Sequence, residues 1–149
     1  MRRVCFALVS CVAAYVSAAE DVSPDWFRQP AISPDGSRIV FCRGGDLYLV
    51  GVDGGRAVPL TLHEAYESSP VWSPDGSMIA FASDRSGNDD VYIMPAEGGK
   101  ATRLTYHSAP DTPTDFTPDG RAVVFSSSRV DDAESALFPS RVLSELYEV

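Results

Sequence analysis

A four-residue sequence recurs three times along the chain, and this recurrence constrains the fold more than any other feature. Ser33-Pro34-Asp35-Gly36 returns as Ser73-Pro74-Asp75-Gly76 after 40 residues and as Thr117-Pro118-Asp119-Gly120 after a further 44. Self-similarity at such a period indicates an array of one supersecondary unit. Each copy predicts a tight turn, because proline fixes φ, aspartate bonds to nearby backbone and glycine accepts a positive φ.

Each repeat unit is predicted to contain four short strands separated by turn residues. In the second unit these strands cover Pro70–Ser73, Met78–Ser83, Val91–Ala96 and Ala101–Thr105. The second strand of each unit is apolar on both faces, as in Ile39-Val40-Phe41-Cys42, and such runs indicate cover on both sides. Four-stranded units of about 40–45 residues that cover one another are typical of β-propeller blades.

We therefore predict an all-β fold, an incomplete β-propeller with two full blades and a truncated third. The blades are expected at about residues 29–61, 70–105 and 114–149. A two-sheet sandwich is the rival architecture, but it does not explain the regular period or the phenylalanine found at one position of every unit, namely Phe41, Phe81 and Phe125.

The number of repeats leads to an expectation about the parent protein. Propellers close with typically four to eight blades, so the chain is expected to be a piece of a longer protein or an open array. Its outer blades would then lack cover, and we expect oligomers or aggregation on size-exclusion chromatography.

Residues 1–19 are predicted to be a secretory signal. Two arginines open the segment, a mostly apolar run covers residues 4–16, and the small residues Ser17-Ala18-Ala19 offer a cleavage site. Lipoprotein-type cleavage before Cys11 is the alternative, but it would leave almost no apolar region before the cut. Residues 20–28 are then a lead-in to the propeller, and the mature chain is expected in the periplasm or outside the cell.

Loss of residues 1–19 changes the net charge from −9 to −11, because it removes two arginines and no acidic residue. Such an acidic body is repelled by nucleic acid and by anionic lipid, so we expect no nucleic-acid partner and no membrane insertion after signal removal. Cleavage also leaves Cys42 as the one thiol, with no intrachain disulfide. Cys42 aligns with Ala82 and Ser126, which indicates a packing position for a small side chain.

Few residues are candidates for chemistry. His63 and His107 each follow a Leu-Thr pair at the same position in their units, which favours a repeated loop or packing role, and they lack the spacing of a zinc site. The oxygen-rich segment 83–90 departs from the calcium-loop pattern, so a hairpin loop with Asx side chains bonded to backbone is favoured over calcium. Ser126-Ser127-Ser128 ends a strand without a histidine nearby in sequence. We predict no catalytic, cofactor-binding or metal-binding residue in this chain.

The connection between the second and third strands lengthens along the chain. The interval from the strand-two phenylalanine to the strand-three tyrosine grows from 7 positions to 11 and then 22. In repeat arrays such insertions collect on one face, often the binding face, and we expect peptides or protein partners there. Within the longest insertion, residues 129–141, Asp131–Glu134 has the spacing of a helix start. This insertion is either a partner contact or a lid over the blade edge.

The repeat core Trp72–Gly76, followed by Ile79–Arg85, resembles the WD40-like propeller repeats of exported or peptidase-linked proteins. Among these are the Tol translocation propeller, prolyl oligopeptidase relatives and tricorn-type peptidases. More specific stretches are similar to the N-terminal propeller of bacterial tricorn-like serine peptidases, and the similarity covers about residues 26–149. These stretches are Trp26–Gly36, Arg103–Ala109 with Thr114–Gly120, and Ser126–Arg129 with Asp131–Ala133.

The resemblance implies that the chain is the substrate-guiding, peptide-binding propeller portion of an exported tricorn-like serine peptidase. The catalytic serine and histidine of that family lie far downstream, so no catalytic residue is carried over to this chain. The remaining blades and the catalytic domain of the parent are then expected partners. A non-enzymatic periplasmic protein-binding propeller of the Tol translocation type is the alternative function.

Overall fold

The computed structural model describes residues 26–129 and 145–149. The expected signal and nearly all of the 129–141 insertion lie outside the described residues. Within the described ranges the chain forms strands in three antiparallel sheets and no helix. The strands are β1 Arg28–Ile32, β2 Arg38–Arg43, β3 Asp46–Gly51, β4 Val58–Pro59, β5 Glu67–Trp72, β6 Met78–Ser83, β7 Asp90–Pro95, β8 Thr102–Arg103, β9 Asp111–Phe116, β10 Val123–Ser127 and β11 Glu145–Glu148.

The three sheets are successive copies of one blade. Strands β1 to β4 lie in chain order in the first blade, β5 to β8 in the second, and β9, β10 and β11 in the third. Because each sheet is built from a single sequence repeat, the propeller prediction is confirmed and the sandwich is wrong. The first strands β1, β5 and β9 contact one another in turn, which places them on the side of the blades nearest a common axis.

The first strands of the second and third blades begin three residues earlier than the sequence indicates. They start at Glu67 and Asp111 rather than at residues 70 and 114. An acidic residue beside a turn region suggests a loop, yet both side chains are fully buried. Arg85 and Arg129 form ion pairs with them, which offsets the desolvation of a buried carboxylate.

The other boundaries of the second blade differ less from expectation. The strand at Met78–Ser83 occurs as predicted, and all of it except Met78 is buried, as the continuous apolar run indicated. The third strand begins one residue early, at Asp90. The fourth shortens to Thr102–Arg103, because it pairs with β7 at only two positions. In the first blade β1 starts at Arg28, one residue before the expected blade boundary.

The Pro-Asp-Gly turns close the first hairpin of every blade. In the second blade the Oδ1 atom of Asp75 accepts hydrogen bonds from Ser73 Oγ at 2.6 Å and from the Ser77 N–H at 3.0 Å. These bonds lower the pKa of Asp75 to about 2, with the Ser73 hydroxyl as the largest cause. Turns of adjacent blades also meet, since a β-carbon on Gly76 would lie 3.6 Å from Pro34 Cδ.

A stacked phenylalanine–tyrosine pair links the second and third strands of every blade. In the second blade the ring centroids of Phe81 and Tyr92 are 5.9 Å apart, and both rings are buried with Val40 and Leu47 of the first blade. The equivalent pair of the third blade packs against the second in the same way. The expected packing role of Cys42 is also met, since it lies in the interface between the first two blades.

Candidate interaction face

The blades have two unlike ends. One carries the Pro-Asp-Gly turns, and we call it the turn end. The other carries the turns between second and third strands and the connections between blades, and we call it the loop face. In the described residues the loop face comprises residues 26–28, 43–46, 60–66, 84–89 and 104–110.

The loop face exposes large apolar side chains. Trp26 is 74% exposed, Leu62 79% and Tyr106 73%, and Tyr66 is also exposed. Leu62 and Tyr106 occupy the same position in their repeats, each just before a histidine. Because isolated exposed apolar residues are common but several gathered at one end of a domain are not, this face is the candidate interaction surface.

The two histidines hold the connections between blades. His63 Nδ1 accepts a hydrogen bond from the Ala65 N–H at 3.0 Å, and His107 Nδ1 accepts one from the Ala109 N–H at the same distance. The His63 N–H also donates to Asp46 Oδ1 at 3.0 Å. The structure thus places the histidines in the repeated loop role that the sequence favours.

The oxygen-rich segment between β6 and β7 ties its loop to the neighbouring connections. Asp84 Oδ1 accepts from the Tyr66 N–H at 2.7 Å. Asn88 Nδ2 donates to the carbonyl oxygens of His107 at 3.0 Å and Ala109 at 3.1 Å. Asx side chains bind backbone here, as expected, but the backbone belongs mainly to other loops. No group of acidic, histidine or cysteine side chains in the described ranges is suited to hold a metal ion.

A threonine and an aspartate fix the start of the third strand in each of the first two blades. In the second blade Thr105 Oγ1 accepts from the Val91 N–H at 2.9 Å and lies 3.5 Å from Asp90 Oδ1. Arg103 Nη2 lies 2.6 Å from Asp90 Oδ2. Burial nevertheless raises the pKa of Asp90, because desolvation outweighs the attraction of Arg103.

The second and third blades each have an ion pair with a buried carboxylate that links the loop face to the first strand of the blade. Arg85 pairs with Glu67, and its guanidinium carbon lies 4.8 Å from the ring centroid of Tyr92. Burial raises the pKa of Glu67, and Arg85 acts against that shift. Sequence reasoning missed these pairs, although their spacing was visible: acid and arginine both recur after 44 residues, at Asp111 and Arg129.

The first blade has a cleft beside Gly45, the position that corresponds in sequence to Arg85 and Arg129 of the other two blades. This cleft of about 200 Å³ is lined by Trp26, Arg28, Arg43, the Gly44-Gly45 turn and Tyr66. Arg28 Nη1 donates to the Tyr66 hydroxyl at 3.2 Å. The Arg43 guanidinium carbon lies 5.7 Å from the ring centroid of Tyr48. We call this site the N-terminal cleft.

Comparison with known proteins assigns the family. The sequence model of the tricorn protease N-terminal beta propeller domain matches residues 24–143, most of the chain. The chain belongs to the tricorn N-terminal propeller family. It is 32% identical over 69 residues to the uncharacterized peptidase YuxL of Bacillus subtilis (strain 168). This match covers 40% of this chain and 10% of that protein.

Solved propellers have the same fold. The TolB structure from Acinetobacter baumannii is 24% identical in sequence and has a TM-score of 0.66. The match covers 85% of this chain and 30% of the TolB chain. The tricorn protease structure is 25% identical and covers 68% of this chain and 11% of its own, with a TM-score of 0.60. The chain therefore spans a minor part of each relative.

In this tricorn-type propeller segment the described side chains suit binding better than covalent chemistry. Burial raises the pKa of the Cys42 thiol to about 11, so it is not a nucleophile at neutral pH. Both histidines use Nδ1 to hold their own loops. Ser127 is buried at the end of β10 and accepts from the Arg129 N–H. Among the described residues no helix is both long and apolar enough to cross a membrane.

Proposed function

We propose that this chain is the peptide-binding, substrate-guiding propeller portion of an exported tricorn-like serine peptidase. The observation that carries the proposal is the match of residues 24–143 to the N-terminal propeller domain of tricorn proteases. The partial similarity to a second peptidase, YuxL, points the same way. The catalytic serine and histidine would lie in another part of the parent, and this chain would guide peptides toward them.

The loop face is the proposed contact surface for peptides. Its exposed aromatic and aliphatic side chains, Leu62, Tyr66 and Tyr106 among them, offer contact area to an extended chain. The loops that carry them are held by backbone N–H groups that donate to Asp84 and to the histidines, and by the Asn88 amide, which donates to a backbone carbonyl. A surface held in this way loses little conformational entropy when a peptide binds.

Export forms part of the proposal. Residues 1–19 have the charge, apolar run and small residues of a signal, and the mature chain would begin at Ala19 or Glu20 in the periplasm or outside the cell. N-terminal sequencing of the exported product tests this directly. A product that still begins at Met1, or that carries lipid on Cys11, would contradict it.

A non-enzymatic, protein-binding propeller of the Tol type is the second candidate. It is favoured by the extent of the structural match to TolB, which covers 85% of this chain. Both candidates use the loop face, so they differ in what the rest of the parent protein does. A further peptidase domain with a nucleophilic serine supports the first, and a single closed ring supports the second.

Hydrolysis and binding assays together test the proposal. We expect the chain to bind unstructured peptides, and Tyr106→Ala to weaken binding several-fold through lost contact area. The chain alone should hydrolyse none of them, while a parent extended beyond Val149 should hydrolyse them and be blocked by serine-directed inhibitors. Hydrolysis by the chain alone would refute the placement of catalysis elsewhere. An extended protein that binds partners but remains inert would favour the Tol-type function.

A further inference from the structure

We propose that a cleft between the Pro-Asp-Gly turns of the second and third blades binds an arginine side chain of a partner polypeptide. The cleft has a volume of about 370 Å³, and its lining includes Asp75 and Met78 of the second blade and Asp119 and Gly120 of the third. We name it the turn-end cleft. It lies at the end of the blades opposite the loop face, so this inference goes beyond the proposed function and does not depend on it.

The contact between the first and second blades shows how an arginine is held at this end of the protein. Arg38, the first residue of β2, reaches the turn of the second blade, where its Nη2 atom donates to the Gly76 carbonyl oxygen at 3.3 Å. Its Nη1 atom pairs with Glu97, and its guanidinium carbon lies 5.0 Å from the centroid of the Trp72 ring. The protein therefore binds a guanidinium here through a carbonyl oxygen, a carboxylate and an aromatic ring.

The contact between the second and third blades has the same backbone spacing but a different side chain. A β-carbon on the turn glycine would lie 3.6 Å from the proline of the preceding turn at the first contact and 3.5 Å at the second. Met78 occupies the position of Arg38, and its thioether cannot donate a hydrogen bond. Gly120 and Phe116 occupy the positions of the glycine and tryptophan that hold the arginine of the first contact. The turn-end cleft thus retains the backbone acceptor and an aromatic residue, with methionine in place of arginine.

Two charged carboxylates line the turn-end cleft. Hydrogen bonds from turn hydroxyl groups are the largest cause of a lowered pKa at Asp75 and at Asp119, so both are ionised at neutral pH. Asp119 Oδ1 accepts from the Thr117 hydroxyl at 2.7 Å and from the Arg121 N–H at 3.2 Å, and Oδ2 lies 3.7 Å from Arg121 Nε. Because an ionised carboxylate has about four acceptor positions, Asp119 can accept further bonds from a guanidinium. Arg121 is 86% exposed, so solvent weakens its competition for this carboxylate.

The size and the acceptors of the turn-end cleft favour arginine over other ligands. Its volume of about 370 Å³ is near the lower end of the range for ligand sites, so it suits one long side chain rather than a helix. The planar guanidinium can donate to the Gly120 carbonyl and the Asp119 carboxylate at the same time, whereas the ammonium of lysine is a compact point charge. The net charge of −9 also attracts a basic partner.

Peptides with blocked ends test the proposal with the guanidinium charge as the only variable. The full chain is titrated with acetyl-Gly-Ser-Arg-Ser-Gly-amide and with the same peptide carrying citrulline or lysine in place of arginine, and calorimetry measures binding. Citrulline has the shape of arginine without its charge. We expect the arginine peptide to bind about tenfold more tightly than the citrulline peptide, the ratio of a charge-assisted to a neutral hydrogen bond. We call this ratio the arginine preference.

Substitutions in the chain locate the site. Met78→Arg places the arginine of the first contact in the turn-end cleft and should remove the arginine preference, whereas Met78→Leu should keep it. Asp119→Asn should reduce the preference several-fold because it removes a charged acceptor. Asp53→Asn makes the same change of net charge at an exposed aspartate outside the lining of the cleft, so it is the matched control and should leave the preference unchanged.

An exchange of side chains between the two contacts gives a gain that a misfolded variant would not show. Arg38→Met should open the first contact, where Glu97 supplies a carboxylate, and add one arginine site per chain. Arg38→Met combined with Met78→Arg should restore the arginine preference lost in Met78→Arg, because the site has moved from the second contact to the first. Failure of the double variant to regain the preference would contradict the proposal.

The remaining outcomes separate this inference from the proposed function. If Tyr106→Ala removes the arginine preference and Met78→Arg keeps it, the arginine binds at the loop face and the inference is wrong, while the proposed function stands. If the lysine peptide binds as tightly as the arginine peptide, or calcium alone displaces the arginine peptide, the cleft takes cations in general and the assignment to a guanidinium is overturned. Equal binding of the arginine and citrulline peptides would refute it outright.

Discussion

The first and second blades have the same four-stranded sheet, but different side chains cover the stacked phenylalanine–tyrosine pair in each. In the second, Arg85 covers the stacked Phe81 and Tyr92 rings and pairs with buried Glu67. The third blade repeats this with Arg129 and Asp111. In the first blade, glycine and phenylalanine occupy the positions of arginine and acid, at Gly45 and Phe27.

The apolar closure of the first blade performs the same covering task. The Phe27 ring meets the Phe41 ring edge-on, with centroids 5.2 Å apart, and Phe41 is buried although it points away from the second blade. An aromatic contact of this kind needs no desolvated charge, whereas a buried ion pair must offset the desolvation of two. Every blade therefore covers its aromatic pair, and the side chains that provide the cover decide whether the loop face is closed or has a cleft.

The largest expected effect concerns the aromatic pair itself. Phe81→Ala should destabilise the chain by about 4 kcal/mol, because Phe81 is fully buried between two blades and its removal leaves a cavity. Phe41→Ala should cost about half as much, since Phe41 contacts Phe27 on its outer side, and the Phe27 ring, which is 68% exposed, can move into the space. Urea unfolding monitored by circular dichroism measures both values. Equal losses would contradict the distinction between the two blades.

The second prediction removes the ion pair. Arg85→Ala should cost about 3 kcal/mol at neutral pH, because it leaves the fully buried Glu67 carboxylate without its cation. Arg121→Ala is the control on an exposed arginine and should change stability by less than about 0.5 kcal/mol. The first blade has no such pair at its equivalent positions, so Gly45 offers no comparable target.

The pH dependence of that variant gives a sharper test. Burial raises the pKa of Glu67 above its usual 4.5, so the folded state binds this proton more tightly than the unfolded state. Stability from this group is therefore highest below 4.5 and falls as pH rises through the folded pKa. Removal of Arg85 raises that pKa further, and the loss in Arg85→Ala should shrink as the pH is lowered toward 4.5. Glu67→Gln should abolish the difference, and a loss independent of pH would show that the charge is not its cause.

The sequence predicted those parts of the fold that depend on local pattern. The turn motif and the apolar second strands identified the blades, and Met78–Ser83 was placed correctly. The predicted starts of two first strands were wrong, because tertiary contacts override local composition there. Glu67 and Asp111 begin these strands with buried side chains because arginines distant in sequence pair with them. Burial of a charge depends on a partner that no local window contains.

The candidate site was predictable only in outline. The growing strand-two to strand-three connections indicated the loop face, and the histidines take the loop role that their recurrence favoured. The N-terminal cleft was not foreseen, because it arises from a missing side chain at Gly45 and from residues of two blades, Arg28 and Tyr66, that meet only in the folded chain. Alignment of the repeats against one another, position by position, could have exposed that gap.

A smaller effect is expected at the turn that opens the cleft. Gly44 has a φ of +64° with open space around its α-carbon, so only backbone strain opposes a side chain there. Gly44→Ala should cost about 1 kcal/mol, and Gly44→Asn less, because asparagine tolerates the left-handed region. Thermal unfolding of both variants measures the difference. A larger loss for the asparagine variant would show that crowding rather than strain controls this turn.

The smallest expected effect lies at the turn end, where the first two blades are alike. Hydroxyl and backbone hydrogen bonds lower the pKa of both Asp35 and Asp75 from 3.8 to about 2. A lowered pKa means that the unfolded state binds the proton more tightly, so the contribution is present above pH 3.8 and is lost as pH falls toward 2. Asp75→Asn should flatten the dependence of the free energy of unfolding on pH in this window. At neutral pH the variant should differ from the parent by an amount that does not change with pH. Asp35→Asn should do the same, because both side chains are solvent-exposed and carry equivalent bonds. If the two variants differed in this acid window, the contrast between the first two blades would extend beyond the loop face to the turns that define the repeat.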